Sequence, residues 1–374
     1  MGRVNESELY LSEQLITYIG NKRKLLKHID LEVEYIKKDL GKNKLTTLDL
    51  FSGSGVVARL LKQHSNKVIA NDIEGYSRII NECYLSNKSD FNKDIYNDYL
   101  SKLNKELEKN IVEKPIISKY YSPKNDEDIK IGERVFYTVN NARRIDIIRD
   151  FINTVEDDYK KYFMAQLLHK ASVHTNTGGV FKGFYKDSNT GIGKFGGNGE
   201  NALARILGKI EIGTPVLSNF ESEYKVYQRD ANELVKELND EKLDIVYIDP
   251  PYNQHPYGSN YFMLNTILNQ NVDIKKISKV SGIPKNWNRS KYNKKNEVLL
   301  VFDELISNIK SKYILVSYNS EGFISFNEMK RILGKYGEVN ITEIKYNTYK
   351  ASRNLETRNI YVNEYIFRVK LFES

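Results

Sequence analysis

Cysteine is almost absent from this chain of 374 residues, which contains Cys83 alone together with seven prolines and one tryptophan. A single thiol cannot form an internal disulfide, and it cannot supply the several thiolates of a cysteine-based zinc site. The five histidines form no metal-ligand spacing with acidic residues, so we predict that the protein holds no catalytic metal. The lack of disulfides is typical of a reducing compartment.

Long apolar segments are absent as well. No stretch approaches the roughly 18 uncharged apolar residues of a transmembrane helix. Residues 1–30 also lack the continuous apolar run of a secretory signal. We therefore expect no membrane partner and a cytoplasmic location. The many Asn, Lys, Ile and Tyr residues are typical of a bacterial sequence, so we expect this location in a bacterium or a phage-infected cell. The chain length corresponds to roughly two or three domains at ~150 residues each.

Positive charge is concentrated in two segments. Lys and Arg total 57 and Asp and Glu total 49, which gives a net charge of +8. Residues 275–295 contain eight cations and no acid, which equals the whole excess. Residues 170–209 contain six cations and two acids and are rich in glycine. A localised basic surface favours a polyanionic partner, whereas an isolated lysine-rich stretch is also typical of a solvated loop.

The pattern of apolar residues predicts an α/β fold with an insertion. Four short apolar segments that end at turns predict β-strands: residues 45–51, 66–72, 242–249 and 312–319. Helical patterns between them favour a mostly parallel sheet, and the tail over 347–370 predicts an antiparallel hairpin at one sheet edge. Residues 91–219 show no such alternation, so we predict an inserted, mainly helical domain with a glycine-rich hairpin. The catalytic core would then comprise residues 1–90 and 220–374.

The first segment whose residues suit ligand binding is DLFSGSG, which follows the first predicted strand. Its glycines, Gly53 and Gly55, permit a tight turn close to a ligand, and the next helix begins with free N–H groups. Asp72 follows about 20 residues further on, where an acid can bind the ribose hydroxyls of a nucleoside cofactor. The loop has neither the G-x-G-x-x-G spacing of dinucleotide sites nor a Walker lysine, which weighs against NAD and against ATP hydrolysis.

The second segment is Asp249-Pro250-Pro251-Tyr252, directly after the apolar strand DIVYI. Two consecutive prolines end the strand, and they fix the Asp249 carboxylate at the carboxyl edge of the sheet, where α/β ligands bind. A carboxylate and a rigid carbonyl can together accept hydrogen bonds from one exocyclic amino group. Tyr252 offers a flat face on which a base can stack.

With these motifs in this order, the chain resembles the Dam-like, alpha-class DNA adenine N6-methyltransferases, which use S-adenosylmethionine. The segment YIGNK at 18–22 resembles that family's N-terminal cofactor motif, and Asp230 lies where an acid near the cofactor adenine is expected. The resemblance covers most of the chain from Thr17 to about Tyr365 and implies a Rossmann-like core. It implies these cofactor-binding residues: Tyr18, Gly20, Lys22, Asp49, Phe51, Gly53, Gly55, Asp72, Asp230 and Asp249.

The resemblance also implies how the reaction proceeds, with DPPY as the catalytic motif. The target adenine leaves the duplex, and Asp249 and the Pro250 carbonyl accept hydrogen bonds from its amino group while Tyr252 stacks on the base. Methyl transfer is then direct, and positioning of the reacting groups is the main contribution to the rate.

The family places its target-recognition domain between the ribose-binding acid and DPPY, where residues 91–219 lie. The segment NTGGVFKGFYK resembles the family's DNA-contacting hairpin. From the two basic segments we predict phosphate contacts, which position a duplex without specifying its sequence, by Lys182, Lys186, Lys194, Arg289 and Lys291. We expect double-stranded DNA as the partner, a monomeric enzyme, and a restriction-modification role alongside a cognate endonuclease.

Two alternatives remain open at the level of sequence. Cytosine N4-methylation also targets an exocyclic amine, but its enzymes usually carry Ser in place of Asp249, and RNA or protein-glutamine methyltransferases usually carry Asn there. A DNA-binding protein with an inactive methyltransferase core is the second alternative, against which the intact motifs count.

Overall fold

This computed structural model describes residues 5–197, 201–270, 273–347 and 361–372. The seven strands in this part of the chain form one sheet. In chain order they are β1 Leu45–Asp49, β2 Ser65–Asn71, β3 Glu223–Tyr227, β4 Leu243–Ile248, β5 Ser311–Asn319, β6 Gly337–Asn347 and β7 Tyr361–Leu371.

The strand order across the sheet is β3-β2-β1-β4-β5-β7-β6. The first five strands run parallel, and β7 runs antiparallel to both β5 and β6. Every residue of β4 is buried, as expected for a continuous apolar strand inside a parallel sheet. The predicted α/β fold with a mostly parallel sheet and a C-terminal antiparallel hairpin is therefore confirmed.

Helices surround the sheet and fill the segment between β2 and β3. The α-helices are α1 Glu8–Ser12, α2 Leu26–Leu40, α3 Val56–His64, α4 Gly75–Tyr84, α5 Lys93–Lys109, α6 Ile117–Tyr120, α7 Val139–Ile152, α8 Asp157–Val173, α9 Asn201–Leu207, α10 Ala231–Glu237, α11 Tyr257–Asn260, α12 Phe262–Asn269, α13 Val298–Asn308 and α14 Phe326–Leu333. Short 3₁₀ helices cover Arg23–Leu25, Lys88–Asp90, Ile274–Lys276 and Lys291–Asn293.

Residues 91–219 contain helices α5–α9. Within the described part of this segment, the glycine-rich hairpin has a single antiparallel bridge between Lys186 and Gly193 rather than a strand pair. One apolar cluster joins helices α5–α8 to the N-terminal segment and to α4 and α12, and it includes Tyr10, Tyr76 and Phe262. The helical segment therefore packs directly against elements that border the sheet, while its division from the core as a separate domain stays a prediction.

The hairpin at the sheet edge begins further upstream than the sequence pattern suggested. Its first strand, β6, covers Gly337–Asn347, whereas the predicted hairpin started at residue 347. The alternation of apolar residues breaks inside this strand, because Val339 and Ile341 pack on one apolar cluster and Ile344 packs on another. A period-two pattern therefore fails to reveal it. The connection at 348–360 lies outside the described residues.

Candidate active site

A crevice opens where the strand order reverses, between the carboxyl ends of β1 and β4. Asp49, the last residue of β1, pairs with Tyr247 of β4, so the glycine-rich loop and the DPPY segment leave the sheet side by side. This is the position at which open α/β sheets bind their ligands. The crevice encloses about 890 Å³, counting the space at its open mouth. Ten predicted site residues line it: Tyr18, Gly20, Lys22, Asp49, Phe51, Gly53, Asp72, Asp230, Asp249 and Pro251.

The N-terminal motif packs directly on the glycine-rich loop. Gly53 has φ of +49°, and a Cβ atom at this position would lie 2.8 Å from a ring carbon of Tyr18. The Tyr18 ring is itself packed against the rings of Tyr257 and Tyr261, whose centroids each lie 4.8 Å from its own. Glycine is therefore required at Gly53 for its backbone conformation and for the close approach of the tyrosine.

Asp72 holds the glycine-rich loop to the end of β2. Its two carboxylate oxygens accept hydrogen bonds from the backbone N–H groups of Gly53, at 2.8 Å, and Glu74, at 2.9 Å. Burial raises the pKa of Asp72 to about 6. The predicted ribose-binding acid thus lies in the crevice and also organises the loop beside it.

Glu74 is a buried acid in the crevice wall that the sequence analysis missed. Its Oε2 atom accepts hydrogen bonds from the amide groups of Asn265, at 2.6 Å, and Asn288, at 3.2 Å. Burial raises its pKa to about 7, and the neighbouring charge of Asp72 adds to this increase. The only sequence signal for it is its place two residues after Asp72.

Asp49 is 1% exposed, and neither of its carboxylate oxygens has a hydrogen-bond partner among the described residues. Burial raises its pKa well above the ordinary range, and the charges of Asp249 and Asp72 raise it further. The crevice therefore brings several buried carboxyl groups together, and burial and mutual repulsion disfavour the ionised form of Asp49.

The DPPY segment forms a buried cluster of charged and polar groups. The Tyr252 hydroxyl donates a hydrogen bond to Oδ1 of Asp249. The Lys22 ammonium donates to Tyr252 and to Glu364, and it lies 3.2 Å from the same Oδ1 atom. Burial raises the pKa of Asp249 to about 6, Lys22 and the Tyr252 hydrogen bond oppose this increase, and Glu364 adds to it. Glu364, on β7, was not predicted, and no local motif marks it.

Three of the predicted catalytic and cofactor-binding residues, Gly55, Pro250 and Tyr252, do not line the crevice. The Tyr252 ring packs edge-on against Tyr318, with centroids 4.9 Å apart, and Lys22 lies 4.7 Å from its centroid. Asp230 lines the crevice, and its carboxylate caps α10 by accepting hydrogen bonds from the backbone N–H groups of Asn232 and Glu233.

The basic loop, defined here as residues 273–297, has an inner and an outer side. Its inner side contributes Asn288, Ser290, Tyr292 and Asn293 to the crevice wall. On its outer side the exposed Arg289 guanidinium stacks on the Trp287 ring, 4.1 Å from its centroid, and Lys291 is exposed.

The basic loop is tied to the helical segment. The Tyr121 hydroxyl donates a hydrogen bond to the Gly282 carbonyl at 2.8 Å, and Arg134 donates to the carbonyl of Lys279 at 3.1 Å. Gly282 has φ of +71°, and a Cβ atom there would lie 2.6 Å from the Tyr121 ring. These contacts connect the crevice wall to residues 91–219, a connection that composition alone did not indicate.

The predicted DNA-contacting lysines of the glycine-rich hairpin lie outside the crevice. Lys182 and Lys186 are exposed and Lys194 is half-buried. Asn176 holds the base of the hairpin, because its side-chain amide donates hydrogen bonds to the carbonyls of Val135 and Lys194.

Two further observations apply to the described part of the chain only. None of its helices combines the length and the apolar character that crossing a membrane requires. It contains no group of three or more His, Cys, Asp or Glu side chains arranged to hold a metal ion. The predicted absence of a catalytic metal stays a prediction.

Comparison with known proteins shows extensive similarity to one enzyme family. Residues 18–332 match the family described as D12 class N6 adenine-specific DNA methyltransferase. The chain is 31% identical over 351 residues to the type II methyltransferase M.NlaIII of Neisseria lactamica, which covers 92% of this chain and 95% of that protein. It is 30% identical over 363 residues to the type II methyltransferase M.CviAII of Paramecium bursaria Chlorella virus 1, covering 95% and 98%. It is 31% identical over 360 residues to the modification methylase StsI of Streptococcus sanguinis, covering 92% of this chain and 50% of that protein.

Proposed function

The chain belongs to the D12 class of N6 adenine-specific DNA methyltransferases, and from that premise we propose how its residues share the reaction. The family confirms the resemblance and the reaction predicted from the motifs, and it does not favour cytosine N4-methylation. We propose that the crevice binds S-adenosylmethionine and that Asp249 receives the amino group of an adenine flipped out of double-stranded DNA. The names of the relatives, a type II methyltransferase and a modification methylase, support a restriction-modification role. A cognate endonuclease as functional partner and a monomeric enzyme are further parts of the proposal.

The chemistry of the crevice fits this cofactor. Asp49 presents a buried carboxylate whose oxygens find no partner among the described residues, and such a group favours a cation. S-adenosylmethionine carries a sulfonium and an ammonium group, and when bound it supplies an electrophilic methyl group. The residues proposed to hold it are Tyr18, Gly20, Lys22, Asp49, Phe51, Gly53, Gly55, Asp72, Asp230 and Asp249.

The observation that carries the proposed chemistry is the position of Asp249 in the crevice wall. Tyr252 and Lys22 both approach its Oδ1 atom, which supports Oδ2 as the atom that accepts a hydrogen bond from the adenine amino group. The Pro250 carbonyl is the proposed second acceptor, and Pro251 fixes the turn. Because the pKa of Asp249 is about 6, its carboxylate is ionised at pH 8 and can receive a proton from the methylated amine. Tyr252 is the proposed stacking partner of the base.

We propose that DNA lies across the mouth of the crevice. The outer side of the basic loop presents Arg289 and Lys291 beside the crevice, where they can neutralise phosphates of the strand that carries the flipped base. Lys182, Lys186 and Lys194 of the hairpin are the proposed contacts further along the duplex. Residues 91–219 are the proposed target-recognition domain, and residues 1–90 and 220–374 the proposed catalytic core.

The test is mass spectrometry of nucleosides from unmethylated DNA incubated with the protein and S-adenosylmethionine. We expect N6-methyldeoxyadenosine from the wild type and a rate about 100-fold or more lower from Asp249→Asn, a loss larger than any weakening of cofactor binding measured by calorimetry. The matched control is Asp128→Asn, because Asp128 is exposed and pairs with Lys130 at the surface. Full activity of Asp249→Asn, or loss of activity in the control, would contradict the assigned role.

A further inference from the structure

Glu364 reaches the DPPY cluster from the opposite end of the chain. On β7 it pairs with Asn319, the last residue of β5, which places it at the same sheet edge as Asp249. Its side chain is 2% exposed, accepts a hydrogen bond from Lys22, and lies 3.2 Å from the Tyr252 hydroxyl. Lys22 is therefore held between two carboxylates, one on β7 and one directly after β4.

We propose that Glu364 is a positioning residue for methyl transfer, because it shares the Lys22 ammonium with Asp249 and so keeps the Asp249 carboxylate available to the adenine amino group. The proposal rests on the function assigned to Asp249 above. Glu364 acts through Lys22 and Tyr252 and is not proposed to touch the substrate.

The packing of β7 supports a role for this charge beyond stability. Its neighbours Ile366 and Phe367 belong to the apolar core on the two faces of the sheet. A buried carboxylate in such a strand loses its hydration, and a buried ion pair is often no more stabilising than well-packed apolar side chains. The charge of Glu364 therefore carries a desolvation cost in this strand, which favours a role for it in the site as well as in the sheet.

The charges around Lys22 explain how Glu364 limits the pairing of the Lys22 ammonium with Asp249. Lys22 is 3% exposed, so water screens its charge poorly. If Glu364 lost its charge, the ammonium would pair with Asp249 alone and hold its carboxylate more tightly. The ionisable groups whose charge or hydrogen bonding acts on or beside Asp249 are Lys22, Asp49, Asp72, Tyr247, Tyr252, Tyr257 and Glu364. Among them Lys22 is the cation, so its partition between the two carboxylates opposes the effect of burial on the pKa of Asp249.

The experiment compares Glu364→Gln with the wild type in single-turnover methylation of duplex DNA between pH 5 and 9. We expect the plateau rate at high pH to fall about 10- to 100-fold, with the dissociation constants for DNA and cofactor within threefold of the wild type. We also expect the acid limb of the profile to move to lower pH, because the charge of Glu364 raises the pKa of Asp249. The control is Glu343→Gln, an exposed position on the neighbouring strand β6, which should leave rate and profile unchanged.

A second background keeps the proposal testable if Glu364→Gln folds poorly. In Lys22→Met the carboxylates no longer share an ammonium, so adding Glu364→Gln should change the plateau rate less than twofold. Three results would each overturn the proposal. They are rate losses that add in the double variant, a plateau rate of Glu364→Gln within threefold of the wild type, and a pH profile of Glu364→Gln whose acid limb does not move. Activity in Asp249→Asn would instead overturn the role of Asp249, so the two failures can be told apart.

Discussion

Substitution of Glu74 measures directly how much the buried, ionised carboxylate in the crevice wall lowers the stability of the folded protein. The perturbation is Glu74→Gln, which removes the charge and keeps a side-chain oxygen that can accept the hydrogen bonds from Asn265 and Asn288. Burial raises the pKa of Glu74 from 4.5 to about 7, so the folded state binds its proton more tightly than the unfolded chain does. The ionised wild type is therefore penalised at high pH.

The sign and size of the effect follow from this difference in pKa. Well below pH 4.5 Glu74 is protonated in both states and costs nothing, and the folded state loses stability progressively as the pH rises from 4.5 to about 7. Above that range, the difference between the two pKa values lowers the free energy of unfolding of the wild type by about 3 kcal/mol. With an unfolding entropy of about 2.1 cal/mol/K per residue, this predicts a melting temperature about 4 °C higher for Glu74→Gln at pH 8.5.

The assay is thermal unfolding of the wild type and Glu74→Gln in matched buffers at pH 4.5 and pH 8.5. The two proteins should melt together at pH 4.5 and separate at pH 8.5, and the exposed position Glu108, changed to Gln, should show no such divergence. A melting temperature for Glu74→Gln at pH 8.5 that equals or falls below the wild type would refute the reasoning, since it would mean that the ionised carboxylate is well solvated or paired.

Two further substitutions test the loops of the crevice. Gly53→Ala should weaken S-adenosylmethionine binding in calorimetry about tenfold or more, because the added Cβ lies 2.8 Å from a tyrosine ring. Gly41→Ala is the control for backbone strain alone, since Gly41 has φ of +63° and open space around it. Equal losses of stability in the two variants would contradict the clash. Reversing the charge of Arg289 and Lys291 together should weaken DNA binding on every sequence. It should also flatten the slope of log affinity against log salt concentration by about 0.9 for each phosphate that is no longer neutralised. Unchanged binding, or an equally weakened affinity in Lys105→Glu on α5, would count against the loop as a DNA-binding surface.

The parts of the site that could be predicted are those encoded in short contiguous segments. The glycine-rich loop, Asp72 and Asp249 each follow a strand directly, so the strand alone determines which edge of the sheet they reach. Ten of the residues named from these motifs line one crevice. Their individual roles stay predictions.

The parts that could not be predicted depend on contacts across the fold. Glu364 is 342 residues from Lys22, and their contact exists because β7 enters the sheet beside β5 rather than at the edge. Asn288 lies in a segment whose composition indicated DNA contacts, but its amide group faces the crevice and Glu74. Which side of a loop faces inward is decided by packing, here by the buried Tyr292 and its hydrogen bond to Asn232, and composition carries no such information.

The place of β7 in the sheet has a consequence for the order in which the enzyme is made. Among the seven strands β7 is synthesised last, yet it lies between β5 and β6. While a ribosome is still adding this strand, β5 is an open edge and β6 has no neighbour in the sheet, so both are available for pairing with other chains. The carboxylate that shares the Lys22 ammonium also arrives with this strand. A nascent chain therefore carries the glycine-rich loop and the DPPY segment before the strand that brings Glu364 to Lys22 takes its place in the sheet.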